Sequence, residues 1–297
     1  MTRTLGLLLL CALSSTAAAN EQGHPVTMWR VAGAANSVYI LGSIHLLREQ
    51  DHPLPGVIDT AYGDAEVIVM ELDMDDLDPV YAQAAFNRAG VLTDGTTLRD
   101  LMGDDAYAQA DDAAAALDIP LDMLDQSEPW LAAMTVELML LYRFGFNPAL
   151  GVEMTMTQRA VADGKPIEGL ETIDEQLAFL DGLPMEAQRD MLLQVLIEGA
   201  EMSESIDDLV GAWHHGNTKV LEDVLLSSMD GQEALSNALV SNRNLRWADQ
   251  IEAWLEDDED YLVVVGALHL VGDDGVPALL DARGFGIQQL SDPAPLR

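Results

Sequence analysis

Two stretches of the 297-residue chain decide how it is read: "VYILGSIHLL", residues 38–47, and "LVVVGALHLVG", residues 262–272. Each is a short apolar run followed at once by Gly-x-x-His-Leu, which predicts a buried strand ending in a loop that carries an imidazole. The surroundings match too. After the first copy, "PLPGVIDTAYGD" can form a short helix and "AEVIVMEL", residues 65–72, a second strand; after the second copy come "GVPALLDARG" and "FGIQQL". The order strand, Gly-x-x-His loop, helix, strand is therefore written twice. The expected fold is α/β, a central sheet built from two similar units whose strands share it.

Between the units, from about residue 79 to 236, the pattern is helical almost throughout and reads as a large helical insertion. Asp78 before Pro79 predicts an N-cap and first turn, and Thr172-x-x-Glu175 predicts a capping box. "SEPWLAAMTVELMLLYRFG" predicts a core helix with Ser127 as N-cap, Pro129 in the first turn and Gly145 as terminator. Only "KPIEGLE" interrupts the series as a strand candidate. With no linker rich in Pro, Gly or Ser between the units, residues 20–297 are expected to form a single domain.

The first nineteen residues have Arg3, an apolar run from Leu5 to Leu13, and small residues at Ala17 and Ala19, the layout of a secretory signal peptide. The expected location is periplasmic or secreted. No later run reaches the roughly 18 apolar residues of a membrane helix, so stable membrane insertion is not expected. Cys11 is the single cysteine and leaves with the signal, which excludes disulfides, thiolate ligands and cysteine nucleophiles from the mature chain. The formal charge of −37 repels phosphate backbones and excludes a nucleic-acid role. The acidic run "ELDMDDLDP" lacks the spacing of an EF-hand loop.

In open α/β sheets the carboxyl ends of strands border the ligand crevice. His45 and His269 should emerge there, and Glu71, at the end of "VIVM", should place a carboxylate beside them. Two imidazoles and a carboxylate suit a divalent ion such as Mn²⁺, Co²⁺ or Zn²⁺, with positions left open for water. The plainer alternatives are two loop histidines bonded to neighbouring backbone and a Glu71 that caps a turn beside Asp73. His214 and His215 are adjacent and diverge on a helix, so they read as solvated surface, and His24 and His52 read as loop residues. No Gly-x-Ser-x-Gly elbow, His-Glu-x-x-His helix or phosphate-binding glycine loop is present.

These paired motifs, with "NPALGVEMTMTQRAVADGKPIEGLETIDEQL", "NRNLRWA" and "GALHLVGDDGVPALLDARGFGIQQL", resemble the TraB/GumN (TraB/PrgY/GumN) family, which includes the Tiki metalloproteases. The resemblance runs from about Trp29 to Leu290 and implies a fold like that of the erythromycin esterase and ChaN-like proteins. It implies His45 and His269 as metal-binding or catalytic histidines and Glu71 as the catalytic carboxylate. Arg243 matches a family arginine that could steady an oxyanion or substrate carboxylate, the alternative being a surface ion pair. Glu153 and Glu171 also match, as supporting site groups or as buried network and capping residues. The function expected is an exported metal-dependent hydrolase, a peptidase or amidase acting on a peptide or small-molecule substrate. The alternatives are a non-catalytic haem-, metal- or peptide-binding envelope protein and an envelope interaction protein.

Overall fold

The computed structural model describes residues 23–227, 229 and 233–292; the expected signal peptide, 1–19, lies outside the described residues. The first unit holds β1 (Pro25–Ala32), β2 (Ser37–Ser43), α1 (Gly56–Asp64) and β3 (Val67–Leu72). The insertion follows with α2 (Pro79–Gly90), α3 (Leu98–Met102), α4 (Asp104–Ala116), α5 (Pro129–Arg143), α6 (Val152–Asp163) and β4 (Ile167–Glu171). It continues with α7 (Ile173–Asp181), α8 (Met185–Glu198), α9 (Met202–His214), α10 (Thr218–Ser227) and α11 (Glu233–Ser236). A π-helical turn, Asn237–Ser241, then runs into α12 (Asn242–Trp254). The last unit is β5 (Tyr261–Gly266), a 3₁₀ turn (Ala267–Leu270), α13 (Val276–Ala282) and β6 (Ile287–Ser291).

The six strands form one sheet in the order β4-β3-β5-β2-β1-β6. The two motif strands are neighbours: β2 and β5 run parallel with Gly42 opposite Val265 and Ser43 opposite Gly266. β3 flanks β5 in parallel and β4 flanks β3, Leu72 lying opposite Glu171. The repeated units therefore interleave instead of standing side by side, because β5 enters between β2 and β3. β6 instead reaches the far edge, antiparallel to β1.

β1 is a strand that the apolar pattern does not announce, since Thr27 and Arg30 interrupt it. Both polar groups are satisfied on site: Thr27 donates to the Trp213 carbonyl at 2.8 Å and Arg30 donates to Ser37 Oγ at 2.7 Å. That satisfaction is what permits polar residues in a covered strand.

Alternate residues face two cores. Met28, Leu41, Met70 and Val264 meet Trp213 of α9 on one side; Trp29, Ile40, Val69 and Val263 meet Trp247 of α12 and Leu280 of α13 on the other. Covering on both faces explains why β2 and β5 are apolar without alternation. The insertion has a core of its own, with Ala110 of α4, Val136 of α5 and Leu192 of α8 packed together. No described helix is long and apolar enough to cross a membrane.

The capping signals hold at two of three helices. Asp78 accepts from the Val80 and Tyr81 amides, and Thr172 and Glu175 form the reciprocal box. α5 instead starts from Glu128, without a side-chain cap, while Ser127 is held one residue earlier in a bridge to Val91.

The loop after β2 is clamped to the start of α6. The Val152 amide donates to the Ile44 carbonyl at 3.1 Å, and a Cβ at Gly151 would stand 2.0 Å from the His45 carbonyl oxygen. Only glycine allows that approach. Gly151→Ala is expected to cost about 1–3 kcal/mol through forced backbone movement, measured as a lowered urea midpoint.

Candidate active site

The carboxyl ends of β2, β3, β4 and β5 gather the sequence-designated residues at one end of the sheet. β2 leads to His45, β3 carries Glu71, β4 ends in Glu171, and the turn after β5 carries His269. α6 supplies Glu153 in its first turn, and α12 supplies Arg243. Gly266 sits among them: a Cβ there would lie 3.3 Å from Glu71 Oε1, 3.6 Å from the His269 ring and 3.9 Å from His45 Nε2. Neither motif glycine takes positive φ; at Gly42 close approach demands glycine, since a Cβ there would stand 2.6 Å from Thr27 Cγ2, whereas at Gly266 it would only crowd Glu71.

The two histidines live in opposite surroundings. His45 is 64% exposed, and its Nδ1 lies 2.7 Å from Glu153 Oε1. The Glu153 charge, against the opposing effect of burial, raises the imidazole to about 10; exposure to water screens part of that attraction. Ser43 donates to the same Glu153 oxygen, and together with His45 it outweighs burial and keeps the carboxyl lowered. Among the described residues His45 Nε2 has no hydrogen-bond partner and faces the cleft.

His269 is buried and stacked against Trp247, with ring centroids 4.4 Å apart. Asn244 fixes its tautomer. The Asn244 amide nitrogen donates to the His269 and Asp274 carbonyls, so Oδ1 is free to accept from His269 Nδ1–H at 2.6 Å. Nε2 is then an acceptor, and Arg243 Nη1 stands 3.2 Å from it. Burial, with the charges of Arg243 and His45, lowers this imidazole to about 3 and leaves it neutral.

Arg243 is the hub. Nη2 reaches Glu71 at 2.6 Å and Glu171 at 2.8 Å, Nε reaches Glu171 at 3.0 Å, and Nη1 serves the Leu239 carbonyl at 3.1 Å and His269. A guanidinium has five N–H donors, and all are engaged. The residue is buried, not a surface ion pair, and its donors are spent on groups inside the protein. Arg246 completes the neutralisation of Glu171 at 2.9 Å.

Glu71 takes the Gly266 amide at 2.8 Å on one oxygen and Arg243 and Gln176 on the other. Burial opposes its ionisation, yet the fields of His269, Arg243 and His45, with the Gly266 N–H, lower it to about 2. Because His269 is neutral, Arg243, the cationic His45 and the Gly266 amide are the standing contributors. Glu71, His45 and Glu153 line an open cleft of about 300 Å³.

As a metal centre the packing does not fit. The His269 Nε2 lone pair points at a cation, and Glu71 Oε2 is taken by Arg243 and Gln176, so that Oε1, bonded to the Gly266 amide alone, is the oxygen with a lone pair to spare. Among the described residues no group of three His or acidic side chains is arranged to hold an ion. A divalent ion would first have to displace the guanidinium.

Ser43, Gln176, Asn244 and Arg246 are site residues that the sequence reading passed over. Ser43 lies inside the first motif, and Asn244 and Arg246 lie inside "NRNLRWA", so attention to those strings was the available signal. His214 is half-buried and bonds the Asp51 carbonyl at 2.9 Å, His52 bonds the Leu150 carbonyl at 2.9 Å, and neither joins the site.

An α/β protein with charged groups converging at the carboxyl ends of parallel strands is what the fold and cleft define. The chain belongs to the TraB/PrgY/gumN family, whose sequence model matches residues 27–289. It is similar to proteins named "Uncharacterized protein YbaP" in Escherichia coli (strain K12) and in Shigella flexneri. Each is 24% identical over 256 residues, covering 82% of this chain and 87% of the relative. No solved structure matches.

Three outcomes, read by two measurements, test the electrostatics. Arg243→Met leaves two buried carboxylates facing one another and should cost about 3–5 kcal/mol, measured by urea denaturation. The folded Glu71 pKa lies below its ordinary value, so its stabilisation is complete above about 4.5 and is lost as pH falls towards 2. In a second measurement, NMR titration of His45 should show an imidazole that keeps its proton well above pH 6.5, and Glu153→Gln should bring the titration down by more than about one unit.

Proposed function

We propose that the chain is a hydrolase of peptide or amide bonds, with Glu71 and His45 as its base and acid. The observation that carries this reading is the opposite poise of two groups on one cleft. Glu71 is held anionic and His45 is held cationic. Neighbouring titratable groups whose surroundings push them apart in this way divide naturally into base and acid.

A substrate carbonyl in the cleft beside Gly266 is polarised by the His45 imidazolium. Water adds to the carbonyl carbon and gives its proton to Glu71. The carbon–nitrogen bond then breaks, the leaving amine takes a proton from His45 Nε2, the products are a carboxylic acid and an amine, and the proton on Glu71 passes back to His45 to restore both groups. Glu153 keeps His45 protonated and oriented, Arg243 and Gln176 keep Glu71 ionised and aimed, and Asn244 keeps His269 in the tautomer that accepts from Arg243.

The divalent ion expected from the sequence takes no part in these steps. When bound it would provide Lewis-acid assistance, and the arrangement described would have to release Arg243 from His269 to admit it. Export of the mature chain, starting near residue 20, belongs to the same reading and would show as a processed N-terminus in periplasm or medium. The likeness to the erythromycin esterase and ChaN-like fold stays part of this proposal and carries none of it.

The test is cleavage of a mixed quenched-fluorescence peptide pool by wild type and by Glu71→Gln, each with and without Mn²⁺, Co²⁺ or Zn²⁺. Cleavage that falls by at least about 10²-fold in the variant is expected. Peptides bound but not cut under any condition would favour the binding-protein reading. Calorimetric titration of each ion into wild type, His45→Ala and His269→Ala settles the metal: a single tight site lost in both variants requires Arg243 to move.

A further inference from the structure

His45 stands where three clefts meet. Besides the cleft that holds Glu71, one of about 350 Å³ runs towards Phe146 and Ile206, and one of about 340 Å³ runs towards Phe86 and Met134. Each is at the small end of ligand pockets, about 300–1,000 Å³. Both additional clefts are walled almost wholly by apolar side chains, and both contain Glu137.

Glu137 is out of character with its helix. It is the single acidic residue of α5, and it lies in the row Leu131, Met134, Leu138, Leu141 that lines the third cleft. Spacings of three and four residues put that row on one helical face. The carboxylate is exposed, and among the described residues it has neither hydrogen bond nor ion pair. Surrounding protein partly desolvates it and raises its carboxyl, and His45 is the cation that lowers it. An exposed carboxylate at the fork of two apolar clefts offers a counter-charge to a cation carried between them.

Resting on the hydrolase reading above, we propose that Glu137 selects peptide substrates bearing a positive charge, whose flanking apolar side chains occupy the two clefts while the backbone passes His45. A branched set of short clefts fits separate side chains on a polypeptide and not one continuous alkyl chain. The charge of the whole chain, −37, works in the same direction by attracting cationic peptides. Two sources can supply the cation: an internal Lys or Arg, or the peptide's free amino terminus.

The experiment compares wild type, Glu137→Gln and Glu137→Lys on quenched-fluorescence peptides of one length with apolar flanks and Lys, Gln or Glu at one scanned position. Each peptide is used with a free and an acetylated amino terminus. Wild type should prefer Lys over Gln by roughly two- to fivefold in kcat/KM, Glu137→Gln should abolish the preference, and Glu137→Lys should reverse it towards Glu. If Lys and Gln peptides are cut alike and acetylation lowers kcat/KM in wild type but not in Glu137→Gln, the amino terminus is the recognised cation. Cleavage with the same Lys preference in all three proteins overturns the Glu137 assignment and leaves the hydrolase reading standing. If nothing is cut, fluorescence anisotropy separates the two ideas: binding of the Lys peptide that weakens in Glu137→Gln upholds the cation site and rejects the hydrolase, and binding indifferent to residue 137 rejects the cation site.

Discussion

The buried guanidinium of Arg243 is the interaction on which the site end of the molecule depends. Parallel pairing of β3 and β4 puts Leu72 opposite Glu171, which brings Glu71 and Glu171 to the same sheet end inside protein. Two such carboxylates repel strongly in a medium of low polarity. Arg243 reaches both, and in doing so ties α12 to β3 and β4 and to the turn after β5. The π-helical turn just before α12 belongs to this arrangement, since the Leu239 carbonyl within it accepts from Arg243 Nη1. Helical irregularities of that kind are frequent at functional sites.

The same hub explains why two nearly identical motifs end in unlike histidines. Both strands finish in Gly-x-x-His, and the strands are adjacent and parallel. What differs is the element packed over each loop. α6 brings a carboxylate to His45 and leaves the ring in water, whereas α12 brings Asn244, Arg243 and Trp247 onto His269 and shuts water out. One imidazole is driven towards the cation and the other towards the neutral form. A repeat in sequence has become an exposed cation and a buried neutral acceptor.

Much of this was legible before any coordinates. The β-rich apolar runs, the Asp78 and Thr172 caps and the doubled strand-loop-helix-strand order follow from local chemistry, and they recur in the structure. β1 was not legible because Thr27 and Arg30 break its apolar run, and their partners, Trp213 and Ser37, are contributed by other elements. Ser127 was misread as a cap because a bridge to Val91, distant in sequence, claimed its backbone first. Arg243 was legible as a site residue, but its role was not. Whether a guanidinium faces a cleft or spends every donor inside depends on which carboxylates the sheet delivers to it.

By itself, then, the sequence determined the α/β class, the helical insertion, the absence of thiol chemistry from the chain beyond its first nineteen residues and the identity of the residues at the strand ends. Those are consequences of composition and of periodicities spanning a few residues. The tertiary structure alone decided that β5 lies between β2 and β3, that Glu153 backs His45, and that the His269 lone pair is met by Arg243. These are contacts between positions separated by 26 residues at the least, and by more than a hundred for the others, and their energies depend on burial and distance, which no local pattern encodes.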